Sequence, residues 1–378
     1  MLVLSQRRLH TAKHLTMLYE FEDAICSFDD VTLVAPGPAP YADAGSLARR
    51  ALNGGLARVG GPRRSPPWNL PSMRSTPVVA DHDLFFAVFS DAFELSYLRR
   101  LRGWRERCRR AVCFLTEVWS PGVPQNADYY DVLREFDAVY LFTPQAGQAL
   151  ASLGSPRPSF LPVGVDARLF SPVPRPPERV VDVHSYGRTS PVLHRQLLDL
   201  VESQGTTYLY DTTFQAKVPD HREHRALLAN TLKRSHFSLA HRINDSAQRL
   251  LRTGGEESLS SRYFEASAGG AVLLGSRPPI PDFDACFDWP DAVIDLPYDS
   301  LDVEDVLHEL AGQPERLAQA RAHGVRAALL RHDWVHRWDR VLHDAGMDVP
   351  AEVRRRQADL QELASAVTPE TLGAAARR

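Results

Sequence analysis

The sequence predicts an α/β protein built as two successive Rossmann-like halves. Three observations carry this. The chain has 378 residues, more than one ordinary core organises. Short apolar runs without period-2 alternation recur between amphipathic stretches, as in a parallel sheet covered on both faces. A proline-rich break near the middle separates two such series.

In the first half, "MLVLS", "DVTLVAP", "DLFFAVFS", "AVCFLTEVW" and "AVYLFTP" are expected as buried strands. "FELSYLRRLRGWRERCRR" and "ADYYDVLREF" are expected as helices between them. Residues 36–78, rich in Pro, Gly, Ala and Arg, read as a long loop or insertion outside the core. Pro172, Pro174, Pro176 and Pro177 stiffen the chain and cannot sit in a central strand, so they mark the boundary. The domains are placed at 1–171 and 178–345. Beyond the boundary the series restarts. Strands "VVDVHSYG", "TTYLYD", "FSLAHR", "AVLLG" and "AVIDLP" alternate with helices "SPVLHRQLLDLVESQ", "EHRALLANTLKRS" and "VEDVLHELAGQPERLAQARAHGVRAALLR". Trp334 and Trp338, one helical turn apart, are expected as an interdomain contact, and 346–378 as a solvated helical tail.

Composition removes several function classes. A net charge of −3 gives no bulk support for binding a polyanion, so no nucleic-acid partner is expected. Lysine stands only at Lys13, Lys217 and Lys233, which disfavours Schiff-base chemistry. The four cysteines form no CxxC pair and no zinc-finger spacing with histidine, so no metal site is expected. The N-terminal apolar run is too short for a signal peptide and no window is long enough to span a membrane, so the expected location is cytoplasmic. No G-x-G-x-x-G follows a predicted strand, which disfavours a dinucleotide oxidoreductase.

Two α/β domains facing across a hinge make a cleft at the carboxyl ends of both sheets, where ligands bind. In "SYGRTSP", Gly187 lets the backbone approach a phosphate and Arg188 can hold one; Arg195 on the next helix is a second cation. Arg242 in "LAHRIND" follows another strand end. "EESLSSRYFEASAGGAVLLG" places Glu257 and Glu265 on either side of a helix start near Ser260 or Ser261. A helix N-terminus favours a phosphate, and carboxylates accept hydrogen bonds from a ribose diol or sugar hydroxyls. Ser261, Arg262 and Tyr263 in its first turn join the donor-binding set. A purely structural arrangement, with Glu265 paired to Arg262 on a surface, fits the local pattern equally. Acceptor-side candidates at the ends of first-half strands are Arg8, His10, Glu117 and Trp119, with Asp91 and Glu94 also at a strand end.

"EESLSSRYFEASAGGAVLLGSRPP" resembles the E-x7-E region of GT-B glycosyltransferases of the family 4 or group 1 type, in the branch reading R-x-F-E-A-x-A-x-G. "FLPVGVDARLFSP" resembles the segment that closes their first domain, and "ALLRHDWVHRWDRVL" their last helices, which cross back to it. The resemblance implies a GT-B fold and transfer of a sugar from a nucleotide-diphosphate sugar to a hydroxyl on a sugar, a lipid-linked or a small-molecule acceptor. It implies retention of configuration, and a diphosphate neutralised by arginines without metal or cofactor. It further implies that Glu265 binds the donor ribose, Glu257 lies by the transferred sugar and Arg188 neutralises phosphate. Two departures stand out: Arg242 occupies a position where relatives carry lysine, and "LSQRRLHTAKH" replaces a glycine-rich N-terminal loop. The alternatives are a non-catalytic nucleotide-sugar-binding protein and a nucleotide-sugar epimerase of the same architecture.

Overall fold

The computed structural model describes residues 1–39, 73–212, 217–245 and 247–373. Its strands are β1 (Leu2–Leu4), β2 (Thr32–Val34), β3 (Thr76–Pro77), β4 (His82–Phe89), β5 (Leu101–Arg102), β6 (Cys108–Leu115), β7 (Ala138–Leu141), β8 (Ser159–Phe160), β9 (Val181–Ser185), β10 (Tyr208–Tyr210), β11 (Ser235–Ala240), β12 (Val272–Gly275) and β13 (Ile294–Asp295). The first sheet runs β2-β1-β4-β6-β7-β8 and the second β10-β9-β11-β12-β13, while β3 and β5 form a separate pair. Every pairing in both large sheets is parallel.

The apolar runs explain the arrangement. In β4, Phe85 and Phe86 point to opposite faces, and each is wholly buried in a different core cluster. A strand covered on both sides needs no polar alternation. The two sheets share one of these clusters, which runs from Val3 and Phe86 through to Phe264 and Leu273.

The chain crosses back to the first lobe at its end. Helix Trp334–Asp344 stacks Trp334 on Phe21 at 4.5 Å between centroids and sets Trp338 edge-on to Phe86 at 5.3 Å. Both tryptophans are fully buried, as the one-turn spacing predicts. Gly164 of the "FLPVGVD" segment has a packing role: a Cβ there would stand 2.7 Å from the Trp334 ring.

Four expectations need correction. "FELSYLRRLRGWRERCRR" is not an α-helix; it is a 3-10 turn, Ala92–Arg100, followed by β5 and a turn at Gly103 with φ 76°. A capping box between Asp91 and Glu94 starts the turn, and the left-handed glycine prevents its continuation. The long helix predicted after "AVIDLP" is broken into Val303–Ala311 and Pro314–Ala327, because Pro314 opens a new first turn. The tail is not solvated all round: helix Ala351–Ser365 buries Val353, Leu360 and Ala364, and Arg356 pairs with Asp166 and Asp333 at 2.7 and 2.6 Å. Of the segment 36–78, residues 40–72 lie outside the described residues. Its ends are tied by a Pro38–Met73 bridge, with Met73 buried, so they belong to the core. Among the described residues no helix is long and apolar enough to cross a membrane.

Candidate active site between the lobes

Strand order locates the site before any side chain is considered. The second sheet changes winding direction between β9 and β11, and the first between β1 and β4. Segments leaving the carboxyl ends of these strands diverge and open a crevice. They are 186–190 and 241–245 in the second lobe, and 5–12 and 90–94 in the first.

In the second lobe, Gly187 has φ 75°, a conformation side-chain-bearing residues rarely adopt. Arg262 reaches back from helix Ser261–Gly269 and fixes this turn. Its Nη1 donates to the carbonyls of Tyr186 and Arg188 at 3.1 and 2.9 Å, and its Nε to Ser260 Oγ at 3.1 Å. Arg188 is aimed along the end of β11, with Nη2 3.4 Å from the His241 carbonyl. Its Nε has no partner, and it has no ion-pair carboxylate among the described residues. Burial, and then repulsion from Arg262, push its pKa down to about 9.

His241 carries two buried ring nitrogens without partners, and burial followed by Arg262 pushes its pKa down to about 4. Oε2 of Glu257 is also buried and unpartnered; burial raises its pKa, against the pull of Arg242. Buried polar atoms left unpaired each cost about 1–3 kcal/mol. Several of them beyond the ends of β9 and β11 form a place prepared for a polar ligand.

Glu265 stands at the lobe junction in a different condition. Its Oε1 accepts from Arg225 Nη1, and its Oε2 from Tyr186 Oη at 3.1 Å and Ser261 Oγ at 3.3 Å. Arg225 also donates from Nε to Glu20 Oε2 of the first lobe at 2.7 Å, and Trp334 Nε1 donates to Glu20 Oε1 at 2.8 Å. The helix start is where the sequence places it: Ser260 is the N-cap, accepting from the Arg262 amide, and Gly270 ends the helix at φ 70°.

On the first-lobe side a cavity of about 730 Å³, the volume of a ligand pocket, is lined by the acceptor-side candidates His10, Glu117 and Trp119, together with Asp91 and Glu94. His10 Nε2 lies 2.7 Å from Tyr97 Oη, and burial lowers its pKa. The lobes meet around this space. Arg252 pairs with Glu117, Ser120 N donates to Glu256 Oε2 at 2.9 Å, and Gln145 Nε2 donates to the Glu257 carbonyl at 2.9 Å.

Five candidates take other places. Tyr263 is fully buried and donates to the Ser276 carbonyl at 2.7 Å, so it packs the second-lobe core. Arg262 spends its guanidinium on the Gly187 turn and Ser260, and it does not pair with Glu265. Arg242 is engaged by Asp245 at 2.8–2.9 Å. Arg195 is exposed in helix Pro191–Gln204, whose Leu193 and Leu197 take the buried face. Arg8 is turned to the Ala35 carbonyl at 3.5 Å and does not line the cavity.

Sequence reasoning missed His241, Arg225, Asn126, Tyr130, Lys217 and Arg252. Only His241, directly after the apolar run "FSLA", had a local signal. Among the described residues no group of His, Cys, Asp or Glu is arranged to hold a metal ion.

Two parallel-sheet lobes facing across a cleft constitute the GT-B fold. Residues 176–343, the second lobe and its return helix, match the family described as glycosyl transferase-like. Solved structures extend the likeness over both lobes. One is Anabaena Alr3699/HepE in complex with UDP and glucose, with TM-score 0.51, 12% identity, and coverage of 91% of this chain and 98% of that one. Another is an alpha-glucosyltransferase in complex with UDP and a 13-mer DNA containing an HMU base, with TM-score 0.53, 11% identity, and coverage of 91% and 98%. At such identities the likeness is one of fold. No curated protein matches the sequence.

Proposed function

We propose that this protein is a glycosyltransferase that moves a sugar from a nucleoside-diphosphate sugar to a hydroxyl acceptor, with retention of configuration and without a metal. The observation that carries this reading is Arg188: a half-buried guanidinium whose buried Nε has no partner and which has no ion-pair carboxylate among the described residues, at the switch point of the second sheet, beside the partnerless His241. Such a group suits a diphosphate, whose charge grows as the sugar leaves. A glycosyl transferase-like match over the same lobe, and two GT-B structures whose complexes hold UDP, support the reading.

The roles follow the geometry. Residues 178–345 bind the donor and 1–171 the acceptor. Arg188 and the peptide groups at Gly187 take the diphosphate. Glu265 keeps Arg225 on Oε1 and receives the ribose diol on Oε2, where the Tyr186 and Ser261 bonds are long enough to be exchanged. Glu257, with Oε2 open, faces the transferred sugar. Titration of UDP-, GDP- and dTDP-sugars into the full chain tests the reading. At least one binds, and Arg188→Ala abolishes that binding or the turnover that follows. If none binds, the reading is wrong.

The full set of partners on Glu265 favours a second reading, a non-catalytic nucleotide-sugar-binding protein. Binding without hydrolysis or transfer on any acceptor decides for it.

A further inference from the structure

We propose that the first-lobe cavity takes a neutral, polyhydroxylated acceptor, a sugar, held by Asp91, Asn126 and the Trp119 indole N–H. This rests on the glycosyltransferase reading and names the acceptor class that the reading leaves open.

The space is bounded by residues following β1, β4 and β6 of one lobe, and closed by Lys217 and Arg252 of the other. Trp119 is only 6% exposed, lines the space, and has its Nε1 buried with no acceptor among the described residues. An indole N–H is a donor only, so what completes it is an oxygen from the occupant. Asp91 accepts the Phe93 amide on Oδ1 at 2.8 Å within its capping box with Glu94, and its carboxylate stays exposed where it lines the cavity. Asn126 spends Nδ2 on the Gly122 carbonyl at 2.8 Å and keeps its amide oxygen as an acceptor. One donor and two acceptors therefore await a partner bearing several hydroxyls. An occupant with a single hydroxyl on an apolar body would leave most of them unpaired.

Charge fixes the second half of the assignment. Glu117 and Arg252 cancel each other across the lobes. Burial lowers the pKa of both His10 and His14, keeping them uncharged at neutral pH. Asp91 and Lys217 then leave one charge of each sign on opposing lobes, and Glu94, whose pKa burial pushes up to about 7, adds only part of a negative charge at neutral pH. No excess of positive charge favours an anionic acceptor.

The test uses the full chain saturated with UDP and measures equilibrium binding of three probe sets: maltose, cellobiose and lactose; 1-octanol and 4-nitrophenol; glucose 6-phosphate. A neutral disaccharide binds most tightly. Asp91→Asn, which preserves the helix cap, and Trp119→Phe, which removes only the N–H, each raise its Kd about tenfold, the loss of one hydrogen bond. Tighter binding of octanol, nitrophenol or the phosphorylated sugar overturns the assignment and leaves the donor site standing. So does failure of every disaccharide to bind, or a wild-type Kd in both variants. Failure of every nucleotide sugar to bind strikes the glycosyltransferase reading itself, and this assignment with it.

Discussion

The turn at Gly187, half-open to solvent, and the buried junction around Glu265 are both rich in charge and both set between the lobes, yet their chemistry is opposite. At the junction every charge is met: Arg225 lies between Glu20 and Glu265, and Trp334 completes Glu20. At the turn, Arg188 and His241 keep partnerless atoms, and Glu257, beside the 242–245 segment, keeps another. Burial alone does not separate structure from function. What separates them is whether the hydrogen bonds close. A closed network holds the lobes together, whereas an open one is completed by something not part of the chain.

The sharpest way to break this comparison is to open the closed network. Arg225→Ala leaves Glu20 and Glu265 buried without their cation. Removing one partner of a buried ion pair costs about 3–5 kcal/mol, so a large loss of stability is expected in chemical unfolding. Arg188→Ala should do the reverse. It removes a half-buried charge that has no ion pair among the described residues, so Tm holds or rises, while kcat/KM with the nucleotide sugar falls by about 10²–10³-fold, as for the loss of one donor to a developing anion. If Arg188→Ala destabilises as much as Arg225→Ala, the distinction between the two regions is wrong.

The backbone of this picture was legible in the sequence. The five strands expected in each half, the Ser260 cap, the Gly270 stop and the return of Trp334 and Trp338 follow from periodicity and turn chemistry, which are local, whereas β8, two residues at the edge of the six-stranded first sheet, carries no such pattern. The pairing of charges was not. The local pattern offered Arg262 as the partner of Glu265 because it is nearby in the sequence; the actual partner is Arg225, forty residues upstream on helix His221–Lys233. Nothing in "EHRALL" marks that arginine, since the helix period tells only which face is buried. Lys217 and Arg252 escaped for the same reason. They meet the first lobe across the cleft, and a sequence does not display contacts made by closing two lobes. His241 was legible in principle, as the first residue past a strand, but the neighbouring arginine drew the chemical reading.

A smaller effect sharpens the comparison through pH. The free protein holds His241 with a pKa near 4, so the ring is neutral at pH 7. A pyrophosphate bound beside it raises that pKa. Between the free and bound values the complex holds more protons than the free protein, so affinity rises as pH falls through that window and levels off below about 4. Titrating UDP-glucose, whose pyrophosphate keeps its charge over this range, should show binding about tenfold tighter at pH 5 than at pH 7, which corresponds to a bound pKa about two units above the free one. His241→Gln should flatten the dependence. A slope that survives the substitution assigns the proton elsewhere, with Glu257 the next group to test.

The smallest expected effect is the control that gives the others meaning. Arg195 follows Arg188 by seven positions and carries the same charge, but it is exposed on its helix, without a hydrogen bond or ion pair to the protein among the described residues. Solvent and salt screen such a charge, and Ala is a good helix former, so Arg195→Ala should change stability by less than about 0.5 kcal/mol. Donor affinity should stay within about twofold, since a charge outside the crevice adds little beyond a Debye length. Both arginines would serve equally if net charge near the second lobe were what attracted a diphosphate. A deep loss at Arg188 with none at Arg195 shows instead that the anion is held by a half-buried guanidinium with an open hydrogen-bond position. Comparable losses at both would mean the second lobe acts through its field, and the turn at Gly187 would lose its special place.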